Sequence, residues 1–329
     1  MHTKPFCLLL LFYYLIGCQN EKNKLPTAYP LAVAAHFLEP VIPSNNPLTV
    51  EAVELGKRLF SDPILSKDSS ISCQSCHLPK LAFADSVAIS PGVEGHLGFR
   101  NAPTLMNTAW LDLINKDGGV AKLDMQAMTP IEDHDEMGIS VLKVAKRLNQ
   151  NSSYVTLAQK AYGRPLDPFV ITRSLASYLR TLISDNSSYD QYLNGNETAM
   201  TEAAIRGKNL FFGEKTNCSR CHSGFNLTNN QFENNGLYEQ YKDNGRQRVT
   251  LEPSDEGKFR IPTLRNVALT APYMHDGSIK DLKSVINHYN RGGKGHHNQN
   301  ELIRPLNLTE QEQEDLLAFL EALTDNDLK

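Results

Sequence analysis

At 329 residues the chain is long enough for two ordinary domains, and a hydrophobic content of 40% excludes wholesale disorder. The formal net charge of −4 comes without any basic block, which argues against nucleic acid as the partner.

The N-terminus reads MHTKPFCLLLLFYYLIGCQN: a lysine, an apolar run from Phe6 to Ile16, then Gly17-Cys18. The run is too short for a stable membrane-spanning helix and reads as an export signal over residues 1–17. The ending LIGC resembles a bacterial lipobox, with cleavage before Cys18 and a lipid on its sulfur; the competing reading is an ordinary signal with a chance cysteine. An acylated Cys18 predicts a periplasmic protein held at a membrane face by the lipid alone. Residues 18–47, rich in Asn, Pro and Ser, read as a flexible tether. Of the six cysteines, Cys7 falls in the signal and Cys18 in the lipobox. The other four form two C-x-x-C pairs, so none is left for a disulfide framework.

An amphipathic helix over LTVEAVELGKRLF (48–60) precedes CQSCH, which carries Cys73, Cys76 and His77. A helix over DPFVITRSLASYLRTLI follows, with Asp167 as N-cap, Pro168 in the first turn, and Val170, Ile171, Leu175, Tyr178, Leu179 and Leu182 on one face. The first pattern then repeats: MTEAAIRGKNLF (200–211), then CSRCH with Cys218, Cys221 and His222. The phrases GKRLF and GKNLF occupy the same place before each copy. Polar stretches between 226 and 257 read as loops. NLTEQEQEDLLAFLEALT closes the chain as a helix with a Thr309/Glu312 capping box. No strand framework is evident.

C-x-x-C-H is the attachment signature of c-type haem: each thiol adds to a porphyrin vinyl group and the histidine ligates iron. Four-thiolate zinc is the rival, but zinc gives no reason for His after both pairs. A thioredoxin-like dithiol would want a βαβ context, which is absent. The reading is mainly α: two cytochrome c-like haem domains in tandem with long loops, residues 48–195 and 196–329, carrying two covalently bound haem c.

With two anchors in place, the phrases FRNAPTLMN (99–107), DGGVAKLDMQAMTPI (117–131), DEMG (135–138), RIPTLRNVALTAPYMHDGS (260–278) and HYNRGG (288–293) together resemble the bacterial di-haem cytochrome c peroxidases, including their methylamine-utilisation branch. The resemblance spans about residues 50–325. It implies reduction of hydrogen peroxide to water at the haem on Cys73, Cys76 and His77. Electrons from a small soluble donor, a cytochrome c or a cupredoxin, would enter at the haem on Cys218, Cys221 and His222. By the same resemblance Glu136 is the catalytic carboxylate and Gln126 lines its pocket; the competing reading of Glu136 is a solvated loop carboxylate. Asp133, His134 and Asp135 crowd the same loop and are open to sharing the task.

Members of the family often cap the first iron with a loop histidine. Here Val93 stands at that position and His96 comes three residues late, so the first haem is expected to lack a histidine sixth ligand. At the second haem the resemblance places Tyr289 as distal ligand, with Met274 as its rival and His275 near the propionates. It also implies a Ca2+ between the domains, on the Asn101 side chain and the carbonyls of Thr270 and Pro272, and raises a homodimer. One position departs from the pattern: Lys116 stands where the family carries a tryptophan between its haems, and the chain's only tryptophan is Trp110. Two further functions follow from Lys116 and Tyr289. Lys116 motivates a di-haem electron carrier without peroxide turnover, and Tyr289 motivates an oxidase of a protein or organic substrate.

Overall fold

The computed structural model describes residues 25–325 and residue 327. The expected export signal and Cys18 lie outside these residues. None of the described helices is long and apolar enough to cross a membrane.

The first half of the chain holds α1 (Val50–Ser61), the single turn α2 (Cys73–Cys76), α3 (Leu123–Gln126), α4 (Met128–Glu132), α5 (Val141–Leu148), α6 (Ser152–Tyr162) and α7 (Pro168–Leu179). The second holds α8 (Ser188–Leu193), α9 (Glu202–Phe212), α10 (Gln247–Thr250), α11 (Leu282–Arg291) and α12 (Glu310–Glu321). Two short strands, β1 (Phe232–Glu233) and β2 (Phe259–Arg260), pair antiparallel. The caps are the ones the residue types favour. Asp167 accepts from the Val170 N–H at the start of α7, and Thr309 and Glu312 close a reciprocal box at the start of α12.

Two cores form. One gathers buried side chains from Ala52 to Leu182, the other from Tyr189 to Leu323. Each is organised on a helix crossing in which backbone touches backbone. A Cβ on Gly56 of α1 would sit 1.9 Å from the Ser174 carbonyl oxygen of α7. A Cβ on Gly207 of α9 would sit 1.8 Å from the Asp315 carbonyl oxygen of α12. The repeated phrase G-K-x-L-F thus has a physical reason: only glycine lets each pair of helices close to this distance, and the following Leu and Phe pack into the core behind the crossing.

The duplication runs deeper than that phrase. PTLMN and PTLRN repeat, with Asn107 (φ 58°) and Asn266 (φ 59°) both left-handed. The threonines perform the same task, Thr104 Oγ1 donating to Ala82 O at 2.6 Å and Thr263 Oγ1 to Asn226 O at 2.7 Å. INKDGGV and YMHDGSI also match, each closed by one bridge, Ile114 with Val120 and Tyr273 with Ile279. Lys116 and His275 therefore occupy equivalent places in the two domains.

Residues 25–47 correct the expectation of a flexible tether: the segment is a strap laid across both domains. Ala28 bridges to Thr49. The Trp110 Nε1–H donates to Leu38 O at 2.8 Å, and His36 Nε2 meets Asp190 Oδ1 at 2.9 Å. Phe37 is buried between Trp110 of the first domain and Phe225 of the second, ring centroids 5.5 Å and 4.6 Å away. Arg265 lies over the Phe37 ring and forms a two-pronged ion pair with Asp190 at 2.7 and 2.8 Å. Both partners are fully enclosed. Burial alone would raise the Asp190 carboxyl, but the Arg265 guanidinium holds it down at about 2.

Candidate active site

Each C-x-x-C-H opens on its own cavity. The first, of about 360 Å³, is lined by Cys73, Cys76 and His77, by Gln126 at the end of α3, and by Asp133, Asp135 and Glu136 on the loop after α4. The second, of about 290 Å³, is lined by Cys218, Cys221, His222, Met274, His275 and Tyr289.

The histidines are set up alike. His77 Nδ1 lies 2.9 Å from Phe83 O, and His222 Nδ1 lies 3.1 Å from Leu227 O. A carbonyl can only accept, so Nδ1 carries the proton and Nε2 keeps a free lone pair. Burial favours the neutral ring in both, pulling His222 down to about 4. Such an imidazole is ready to ligate iron.

The thiols bear on the choice between haem and its rivals. All four are unbridged. Burial pushes each of them up, Cys73 to about 12. A bound metal ion would deprotonate such thiols whatever their shift in its absence, so the placement of the residues, not the shift, separates the readings. Among the described residues no cysteine belongs to a cluster spaced for a metal ion. The C-x-x-C thiols are placed for covalent anchoring instead.

The remaining feature to fit is charge. Lys116 and Arg260 line both cavities, and Arg100 lines the first. Burial pushes Lys116 down to about 7, helped by Arg260 and Arg100, and pushes Arg260 down to about 10. Arg100 is neutralised by Asp117 and Asp243, both at 2.6 Å. This cationic seam between two largely apolar cavities suits flat apolar rings with acidic edges, which describes haem.

Glu136 lies on the wall of the first cavity and its surface there is exposed. Burial, with the charge of nearby Asp133, pushes its carboxyl up to about 7. Its backbone is pinned: the Glu136 carbonyl accepts from the Val93 N–H at 2.8 Å. Val93 itself is buried, and neither Val93 nor His96 is on the cavity wall. His96 stacks on His134, centroids 4.4 Å apart, beside Asp135.

In the second cavity, Asn235 Nδ2 stands 3.4 Å from Tyr289 Oη and 3.3 Å from Met274 Sδ, so both candidate ligands share one amide. Burial pushes the Tyr289 phenol up while Asn235 opposes this. The His275 ring stacks on Phe259 at 4.0 Å. Its backbone carbonyl accepts from the Asn101 N–H at 2.8 Å, and Asn101 Nδ2 donates to Val87 and Ala88. Trp110 is on neither wall; it anchors the strap. Asn235, Arg100 and Arg260 were missed as site residues in the sequence. The two arginines stand inside repeated phrases, and aligning the chain with itself is the signal that would have found them.

Comparison with known proteins agrees with this geometry. The family model for di-haem cytochrome c peroxidase matches residues 50–198, and the model for cytochrome c matches residues 204–324. A methylamine utilization protein MauG from Methylorubrum extorquens is 37% identical over 300 residues, covering 89% of this chain and 84% of the relative. A cytochrome-c peroxidase of a Pseudomonas species is 36% identical, covering 87% of this chain and 84% of that one. A crystal structure of a MauG-like protein associated with microbial copper homeostasis matches with a TM-score of 0.86. That match is 35% identical and covers 92% of this chain and 97% of the other.

Proposed function

Because the chain belongs to the di-haem cytochrome c peroxidase family, we propose that it reduces hydrogen peroxide to water at the cavity of Cys73, Cys76 and His77, with Glu136 as the proton carrier. The two haems, when bound, supply the iron that takes the peroxide and the two electrons its reduction requires. The observation that carries the assignment of Glu136 is its position on that cavity wall with a carboxyl at about 7.

The overall balance is one peroxide, two electrons and two protons to two waters. A peroxide in the first cavity must lose the proton on one oxygen and gain it on the other before the O–O bond breaks. A carboxyl near 7 is populated in both forms at neutral pH, so the same Glu136 oxygen can accept the proton and return it. Gln126, on the same wall, has an amide N–H to hold the peroxide oxygen in place. Electrons would enter through the second cavity, where Tyr289, which we favour over Met274, would hold the haem iron. A phenolate is a hard anionic donor that stabilises ferric iron, whereas a thioether favours ferrous.

Three further assignments belong to the same proposal. Asn101, Thr270 and Pro272 hold a Ca2+ between the domains; support comes from the Asn101–His275 hydrogen bond, which joins the first domain to the loop bearing the other two. Cys18 carries the lipid, supported by the LIGC phrase alone. The protein works in the periplasm at a membrane face, supported by the export signal and by c-type haem chemistry.

Tyr289 also favours a second reading, an oxidase of a protein or organic substrate. Steady-state turnover of peroxide with a reduced small cytochrome or cupredoxin separates the two. The peroxidase reading expects donor oxidation that depends on peroxide at two donor electrons per peroxide. Failure with every donor, alongside peroxide-dependent oxidation of a non-donor substrate, would favour the oxidase.

A further inference from the structure

Lys116 stands where the two haem cavities meet. Its loop is closed by the Ile114–Val120 bridge and tied to the second domain by the Arg260 N–H, which donates to Lys116 O at 2.7 Å. Three residues line both cavities: Pro103, Lys116 and Arg260. Two of them are cations.

The charges around Lys116 do not cancel it. Arg100 is satisfied by Asp117 and Asp243. Arg260 directs Nε at Asn115 O, 3.3 Å away, and repels Lys116. His275, the equivalent residue of the other domain, is held neutral by burial, with Lys116 itself adding to the effect. Asp276 is the carboxylate that attracts Lys116, and its Oδ2 is already engaged by Tyr238 Oη at 2.6 Å. Burial with the two arginines lowers the Lys116 ammonium to about 7, and the acidic edges of the bound porphyrins would favour its charged form. Reducing either iron lowers the positive charge of its cavity by one unit. A cation facing both cavities therefore favours reduction of both.

We propose that Lys116 is the electrostatic link between the two haems: a single charge, shared by both cavities, that raises both reduction potentials together. This rests on the di-haem reading. It gives the position a role unlike that of an oxidisable indole. An ammonium cannot be oxidised and relays no electron; it holds the two one-electron couples up in step, so the driving force between them is kept while both stay reducible by a mild donor.

The test is a potentiometric titration of the holoprotein, followed in the visible spectrum, on wild type, K116M, K116Q and K116R. K116M and K116Q are expected to make ferrous iron roughly tenfold less favoured at each haem, a fall of about 59 mV in each one-electron midpoint. K116R is expected to stay near wild type. Unmoved midpoints in both neutral variants, a shift at one haem alone, or a fall in K116R equal to that in K116M would each overturn the proposal. Haem content, counted first on denatured protein, keeps the two failures apart. Fewer than two haems per chain defeats the di-haem reading, while two haems with unmoved potentials defeats only the role of Lys116.

Discussion

Glu136→Gln is expected to lower peroxide turnover by roughly 10²- to 10⁴-fold, with both haem absorption spectra unchanged. Glutamine keeps the shape and the hydrogen-bonding edge but cannot take up a proton at neutral pH. The wild-type rate should carry an acid limb near pH 7, because the carboxyl must be ionised to accept the proton and burial with Asp133 has moved it to about 7. Below that limb the group is already protonated and the rate falls. The limb should vanish in the variant. The same shift has a sign for stability. The folded carboxyl holds its proton more tightly than an unfolded one at 4.5, so the wild type loses stability as pH rises from about 4.5 through about 7. E136Q escapes this loss and should be the more stable protein at pH 8. An unaltered rate in E136Q, or a limb that persists, removes Glu136 from the chemistry.

The second large effect concerns the fold. Gly56→Ala and Gly207→Ala each add one methyl to a helix, a change that by helix propensity alone stabilises by up to about 1 kcal/mol. Here the opposite sign is expected. The new Cβ would meet the Ser174 or Asp315 carbonyl at 1.9 or 1.8 Å, and backbone atoms cannot swing aside as a flexible side chain does. The helices must part, at a cost of about 1–3 kcal/mol or more. For a domain of this size that is a fall in Tm of about 2–4 °C per kcal/mol. Gln159→Ala on the exposed face of α6 is the control and should change stability by less than about 0.5 kcal/mol. Thermal unfolding of the three variants checks the argument; a raised Tm in G56A or G207A would mean the crossings are looser than described.

What could be read ahead of the structure follows from how local the signal is. Cys73, Cys76 and His77, and their second copy, sit within five residues of one another, and their chemistry needs that spacing. The long helices show their period and caps within one window. The strap does not. Its composition reads as solvated chain, and its hold on the body comes from single residues: His36, Phe37 and the carbonyl of Leu38, whose partners Asp190, Trp110, Phe225 and Arg265 are far along the sequence. Composition averages such contacts away. Lys116 lies between these cases. Its identity marked a departure from the family's aromatic, but its meaning depends on Arg100, Arg260 and Asp276, which the fold alone brings round it. The shared amide of Asn235 was invisible for the same reason, since Met274 and Tyr289 reach it from different elements.

The function rests on two porphyrins covalently held in one chain, each beside a histidine with a free Nε2. The most direct measurement is the pyridine haemochromogen spectrum of matured, denatured protein, for wild type, C73A/C76A and C218A/C221A. Two c-type haems per chain in wild type and one in each double variant is the predicted result. One haem or none in the wild type, or haem that leaves with the denaturant, would contradict it.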